Sequence, residues 1–255
     1  MPFISAKNLC FSYGKKPVID ELFIDIEEGC VLSILGANGC GKSTLLKLFL
    51  GLLRPQKGEV LVFGKKALNY KRSELAKLMA YLPQSLFTAF SYSANELALT
   101  GRLAHIKLFS NYSKKDQEIV DKAFETLNIK ALQQAVFNEL SGGERQLVLI
   151  ARALASEARV LLMDEPVSSL DFGNQMRLLK LIKSLKELGL SIIKTTHFPE
   201  HASLCSDLVL LLKNGKALAF GQREDVLTSR LLSDIYGIDL EVYTKEKGQI
   251  SVQLP

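Results

Sequence analysis

The chain has 255 residues, 47% of them hydrophobic, enough for a well-buried core in one large domain or in a core with a lobe. Charged residues make up 23% and the net charge is +5, but Lys and Arg are interleaved with acids in stretches such as YKRSELAK and YSKKDQE, the pattern of solvated helix faces. A nucleic-acid binder gathers its cations on one face or stripe, so nucleic acid is not an expected partner.

The elements run as follows. VLSIL (31–35) is a short apolar strand that ends at Gly36. A helical pattern starts at Lys42 and continues through STLLKLFLGLL to a stop near Arg54–Pro55. GEVLVFG alternates like a strand, and LMAYLPQ is a strand broken at Pro83. Residues from about 85 to 156 are richer in helix; KKDQEIVDKAFETLNI carries Ile119, Val120, Ala123, Phe124 and Leu127 at helical spacing. RVLLMDEP is a buried strand with acids at its end. MRLLKLIKSLKELGL is an amphipathic helix, SIIKTTH a further strand, and DLVLLLKNGKALAFG a hairpin. The tail LEVYTKEKGQISVQL alternates on both sides of Lys247–Gly248 and reads as a closing hairpin. Strands alternating with helices imply an α/β protein with a parallel, doubly wound sheet.

Other patterns narrow the setting. No apolar run approaches the ~18 residues of a membrane-spanning helix. MPFISAKNLCFSYG lacks the basic-then-apolar order of a secretory signal, which predicts a cytosolic protein. Cys10, Cys30, Cys40 and Cys205 are dispersed with no CxxC pair, and His105, His197 and His201 suggest no metal cluster, so reduced thiols are expected and a zinc site is not.

GANGCGKS matches GxxxxGK[ST]. Gly36, Gly39 and Gly41 permit backbone conformations in which successive N–H groups face a polyphosphate, together with Asn38, Cys40 and Thr44 of the same loop. Lys42 supplies a point charge, the Ser43 hydroxyl suits Mg²⁺, and the helix dipole adds to the attraction. A glycine turn of purely structural use is the alternative; the strand before the loop and the helix after it argue for phosphate. In VLLMDE an apolar strand presents Asp164 at its C-terminal edge, where doubly wound sheets bind ligands, and Asp164 can hold Mg²⁺ through water. Glu165, one residue on, is placed to polarise a water that attacks the γ-phosphate. LSGGERQ (140–146) is a second anion-binding helix start, with Ser141 before Gly142 and Gly143.

With these motifs in this order the chain resembles the ATP-binding subunit of an ABC transporter over nearly its whole length. The resemblance implies a P-loop NTPase core of RecA type with a parallel sheet, an N-terminal antiparallel β subdomain and a helical signature subdomain. It divides residues 1–84 and 157–255 (core) from 85–156 (helical). FSYG resembles the aromatic loop, so Tyr13 would stack on adenine. Gln84 resembles the Q-loop residue that links Mg²⁺ to the membrane partner, Asp171 in SSLD the D-loop, and His197 the switch histidine that contacts the γ-phosphate. Taken singly, Tyr13 also reads as a strand aromatic and Gln84 as a surface amide, and a lone His197 is more often a packed histidine than a switch. The family further implies a head-to-tail dimer in which Ser141, Gly142 and Gly143 of one copy face the nucleotide of the other.

With no fused membrane domain, no heptad insertion and no second copy, the expected partners are separate permease subunits and, through them, a substrate-binding protein. YLPQSLFTAFSYSANELALTGR and LSGGERQLVLIARALA resemble the group that imports iron chelates, haem and cobalamin. There, Phe87, Phe90 and Tyr92 are candidates for an apolar docking surface, with core packing as the alternative. Val167 and Phe198 depart from the Thr and Asp usual in the family. Alternatives are import of a metal ion or oxyanion, a soluble ABC ATPase acting on another protein assembly, and a regulatory nucleotide-binding module, which has no need of Glu165 or His197. No NKxD guanine-reading motif is present.

Overall fold

The computed structural model describes residues 2–84, 86, 90–107, 110–245 and 248–255. In chain order these form β1 (Ile4–Ser12), β2 (Pro17–Ile26), β3 (Val31–Leu35), α1 (Lys42–Phe49), β4 (Lys57–Val62), β5 (Lys65–Lys66), α2 (Arg72–Leu78), β6 (Met79–Leu82), α3 (Ala94–Leu99), α4 (Lys114–Thr126), α5 (Gly142–Ala155), β7 (Val160–Met163), α6 (Phe172–Glu187), β8 (Ser191–Thr196), α7 (Pro199–Cys205), β9 (Leu208–Lys213), β10 (Lys216–Gln222), α8 (Arg223–Val226), α9 (Ser229–Tyr236), β11 (Glu241–Thr244) and β12 (Ile250–Gln253). They group into two compact units, Met1–Tyr70 with Arg177–Pro255, and Lys71–Met176.

Besides a two-stranded hairpin, the first unit holds strands of two larger sheets. One is antiparallel in the order β2-β1-β4-β5, with Ile4 opposite both Ile26 and Val62. Alternation in β2 buries Ile19, Leu22, Ile24 and Ile26 and leaves Phe23 exposed. In the other sheet β3 pairs in parallel with β8 and β9. β3 and β8 are buried along their whole length, as strands of a covered parallel sheet are, although β8 carries Ser191, Lys194, Thr195 and Thr196 into the interior beside Ile192 and Ile193. β10 returns antiparallel to β9 through Asn214 and Gly215, both at positive φ as a tight hairpin demands. The expected closing hairpin is present as β11 and β12, with Val242 opposite Val252.

In α1 the chain departs from the periodicity, which carried the helix to Arg54–Pro55. The helix ends at Phe49. Gly51 takes φ +60, its N–H bonds Leu48 O, and the Leu52 N–H returns to Lys47 O at 2.9 Å. This left-handed closure satisfies the last carbonyls and overrides the apolar pattern beyond it.

The second unit pairs β6 with β7 in parallel, Met79 opposite Val160, and packs α3 and α4 against α5. Val120, Ala123 and Phe124 of α4 and Val148, Leu149 and Ile150 of α5 are buried. Three helices here start with the same reciprocal cap, Ser93 with Glu96, Ser113 with Asp116 and Ser141 with Glu144. Arg102, 4% exposed, ties the helices together: Nε donates to Asp116 Oδ1 at 2.9 Å and Nη1 to Ala155 O and Glu157 Oε2 at 2.8 and 2.7 Å.

Candidate active site

In the first unit the loop between β3 and α1 is moulded by its glycines. A Cβ on Gly36 would lie 2.4 Å from Leu212 O and 2.7 Å from Cys40 Sγ, so the loop starts pressed onto β9. Gly41 caps α1 at φ 112°, and a Cβ there would meet Val18 O at 2.7 Å. The Gly215 N–H donates to Cys40 O at 3.2 Å, so the β9–β10 turn also holds the loop. Ala37, Asn38 and Gly39 form its exposed crest, whereas Cys40, Gly41, Lys42 and Thr44 are buried and Ser43 is half-buried. Lys42 Nζ donates to Gly36 O at 2.9 Å and Ala37 O at 3.2 Å, which lays the ammonium along the loop. No side chain caps α1, so the amides of its first turn are presented to a ligand rather than to the chain itself. This cradle suits a polyphosphate.

Two further predicted residues belong to the same unit. Tyr13 is 64% exposed and stands edge-on to Phe11, with centroids 4.9 Å apart; a propped, exposed ring is available for stacking. His197 follows β8, half-buried, with its ring 4.0 Å from Phe198.

The second unit brings together the acids and Gln84. Asp164 emerges from β7 with its N–H on Leu82 O at 2.9 Å and is 5% exposed. The Tyr81 hydroxyl donates to its Oδ2 at 3.3 Å. Burial, then the Asp164 charge, then this bond push the Tyr81 phenol above its usual range, so it remains a donor. Glu165 adopts φ +44, in the left-handed region. Its carbonyl accepts from Ser168 N at 3.1 Å and Ser168 Oγ at 3.0 Å, which closes the turn after β7. Gln84 Nε2 donates to Glu165 Oε2 at 3.3 Å and to Ser168 Oγ at 3.4 Å. Gln84 and Asp164 carry oxygen donors, the hard kind that Mg²⁺ takes, as does Ser43 in the first unit.

Ser141, Gly142 and Gly143 form the start of α5. Here the Ser141 hydroxyl already has a use: it donates to Glu144 Oε2 at 2.6 Å, and the Ser141 N–H donates to the same oxygen at 2.9 Å. These bonds hold the Glu144 carboxyl below its usual range. Asp171 likewise serves its own helix, accepting from Asn174 N at 3.0 Å. Asn174 Nδ2, in the first turn of α6, lies 3.1 Å from where a Gly143 Cβ would be, so a larger residue at 143 would have to displace the Asn174 side chain by a few tenths of an ångström. A groove of about 380 Å³ runs past Gln84, Gly142, Arg145 and Gln146.

Residues 19–168 match the ABC transporter family. An uncharacterized ABC transporter ATP-binding protein of Haemophilus influenzae is 39% identical over 91% of this chain and 89% of its own. The chain belongs to the ABC transporter family. A probable iron chelatin transport ATP-binding protein of Helicobacter pylori is 37% identical to this ABC ATPase over 93% of this chain and 94% of its own. A putative metal-chelate type ABC transporter in an inward-facing conformation superposes with a TM-score of 0.87 at 33% identity, covering 99% of this chain and 96% of that one. The protein therefore binds and hydrolyses ATP on a P-loop NTPase core, the fold that its sequence implied.

Motif reading of the ABC ATPase missed the capping boxes, although Ser-x-x-Glu and Ser-x-x-Asp are visible at 93–96, 113–116 and 141–144. It also missed Arg102, whose partners at 116, 155 and 157 are set by helix packing and leave no local signal. Of the candidate docking aromatics, Phe87 lies outside the described residues. Phe90 is 70% and Tyr92 39% exposed, so core packing does not account for them. Val167 is buried, a packing position. No described helix is long and apolar enough to cross a membrane, and no cluster of metal-binding side chains occurs among the described residues.

Proposed function

We propose that this ABC ATPase energises uptake of a metal chelate, of the iron-siderophore, haem or cobalamin type, through a separate membrane permease. It would sit as a peripheral subunit on the cytoplasmic side of that permease, as a head-to-tail pair, with a substrate-binding protein delivering the chelate on the other side. What carries this reading is the near full-length likeness to the Helicobacter pylori iron chelatin protein and to the metal-chelate transporter.

In the mechanism, Tyr13 stacks on adenine and the N–H groups from Gly36 to Thr44 surround the phosphates. Lys42 trades its bonds with the Gly36 and Ala37 carbonyls for phosphate oxygens. Ser43, Gln84 and Asp164, the last through water, would hold Mg²⁺, which when bound offsets charge on the phosphates. Glu165 orients the attacking water and takes its proton as the bond to the γ-phosphorus forms, and ADP departs with the β–γ bridging oxygen. His197 contacts the γ-phosphate. Ser141, Gly142 and Gly143 meet the γ-phosphate of the other copy's nucleotide, so the Ser141 hydroxyl must leave Glu144 to do so. Asp171 lies at that same junction. Loss of the γ-phosphate breaks the trans contacts, and the two copies part.

Glu165→Gln tests the assignment. The amide is the same size and its oxygen still accepts from Gln84, so the fold and ATP affinity are retained, while turnover falls roughly 10²–10³-fold. ATP then accumulates the pair on size-exclusion chromatography. Normal phosphate release by this variant would remove Glu165 from its role. In proteoliposomes carrying the copurifying permease, ATP should drive uptake of a ferric chelate. Copurification with a soluble assembly and no polytopic protein would overturn the importer reading.

A further inference from the structure

The segment that carries His197 is held by the C-terminal part of the first unit. The His197 carbonyl lies just ahead of α7, whose N-cap is Phe198 and whose first residue is Pro199. Its donor is the Tyr236 hydroxyl, at 2.8 Å, from the last residue of α9. Gly237 at φ +71 caps that helix, its N–H donating to Ser233 O. Burial, and then the nearby Glu200 and Cys40, hold the Tyr236 phenol above its usual range, so it stays protonated.

Other bonds fasten the same stretch. The Ile250 N–H donates to Ser203 Oγ at 3.2 Å and the Val252 N–H to Glu200 Oε1 at 3.3 Å, so β12 straps α7. Ala202, Leu232, Ile235 and Ile250 share one apolar cluster beneath. On the far side of Phe198 stands His201, 4.8 Å between rings and 7% exposed. Burial, then Lys194 and His197, push its imidazole down to about 4, so it is neutral packing at physiological pH.

We propose that Tyr236 is a positioning residue for ATP hydrolysis: its hydroxyl, delivered by α9, fixes the His197 peptide plane and thereby the direction in which the imidazole meets the γ-phosphate. A peptide plane free to rotate swings the side chain attached to it, and misplacement by about 1 Å suffices to cost up to two orders of magnitude in rate. The inference rests on the reading of His197 as the γ-phosphate contact.

Tyr236→Phe deletes only the hydroxyl. It should lower kcat for ATP about 10-fold, leave KM within twofold, and broaden the His197 imidazole signal in NMR spectra. In a His197→Ala background the same substitution should change kcat no further, because the two act in series. Wild-type kcat in Tyr236→Phe, while His197→Ala turns over slowly but measurably, overturns the inference. So does an equal loss with and without His197, which marks a general packing effect. Full turnover in His197→Ala alone sinks the underlying role of His197 instead. If Tyr236→Phe does not fold, a wild-type spectrum in which the His197 ring reorients freely overturns the inference, and a single fixed orientation supports it.

Discussion

Gly41→Ala is the sharpest probe of the phosphate loop. At φ 112° an L-residue is strained by itself, at a cost of about 1–2 kcal/mol. The new Cβ would also stand 2.7 Å from Val18 O and 3.0 Å from Ile19 Cδ1. Val18 and Ile19 lie in β2, whose ladder with β1 runs from Ile4–Ile26 to Ser12–Pro17, so the loop yields and not the sheet. If about 2 kcal/mol of that strain appears as lost loop geometry, ATP affinity falls about 30-fold. Gly29→Ala is the control: φ is +74 but a Cβ would meet nothing within 4 Å. It should lower thermal stability modestly and leave ATP affinity unchanged. Titration of a fluorescent ATP analogue, with melting curves for each variant, reads both effects. Binding by Gly41→Ala within twofold of wild type would show that the loop does not need this backbone shape.

Two more outcomes follow from buried groups in each unit. Ser113's hydroxyl and N–H first, and then Arg102, hold the Asp116 carboxyl at about 2 instead of 3.8. A depressed carboxylate stabilises the fold fully above 3.8 and loses that contribution as pH falls through 2. Asp116→Asn should therefore cost about 2 kcal/mol near neutrality, the equivalent of that shift, because the Ser113 donors and then Arg102 lose a charged acceptor, and the gap from wild type should close towards pH 2 in urea unfolding; a gap independent of pH would refute this. Cys40 is 9% exposed behind the loop crest, so thiol reagents should label it slowly, ATP should slow labelling further, and labelled protein should lose turnover. Complete labelling with unchanged activity would show that the loop tolerates bulk there.

Much of this was legible because the informative signals are local. GANGCGKS needs only its neighbours to form a cradle, and VLSIL and RVLLMDE are short buried runs bounded by turn residues. The hairpin at 207–221 showed as two apolar runs around Asn214–Gly215, and the one at 240–254 as alternation around Lys247–Gly248. Elsewhere the deciding contact is distant in sequence. α1 stops at Phe49 because of a left-handed Gly51, which apolar periodicity does not register. Tyr236 reaches His197 across 39 positions, and Arg102 finds Glu157 across 55; packing alone makes such pairs. At Ser141 the residue was visible and its resting partner was not read, although Glu144 three places on is the usual sign of a reciprocal cap.

The backward turn at Glu165 has an outcome for how this centre tolerates change. A left-handed glutamate costs on the order of 1 kcal/mol or more, and the Ser168 bonds to its carbonyl keep it there. Direction at position 165 is thus supplied by main chain, and the side chain supplies only reach and basicity. Exchanges at this position alter the chemistry without re-aiming it, whereas Ser168→Pro, which removes both the hydroxyl and the N–H that hold the Glu165 carbonyl, would let a perfectly good carboxylate point at the wrong atom.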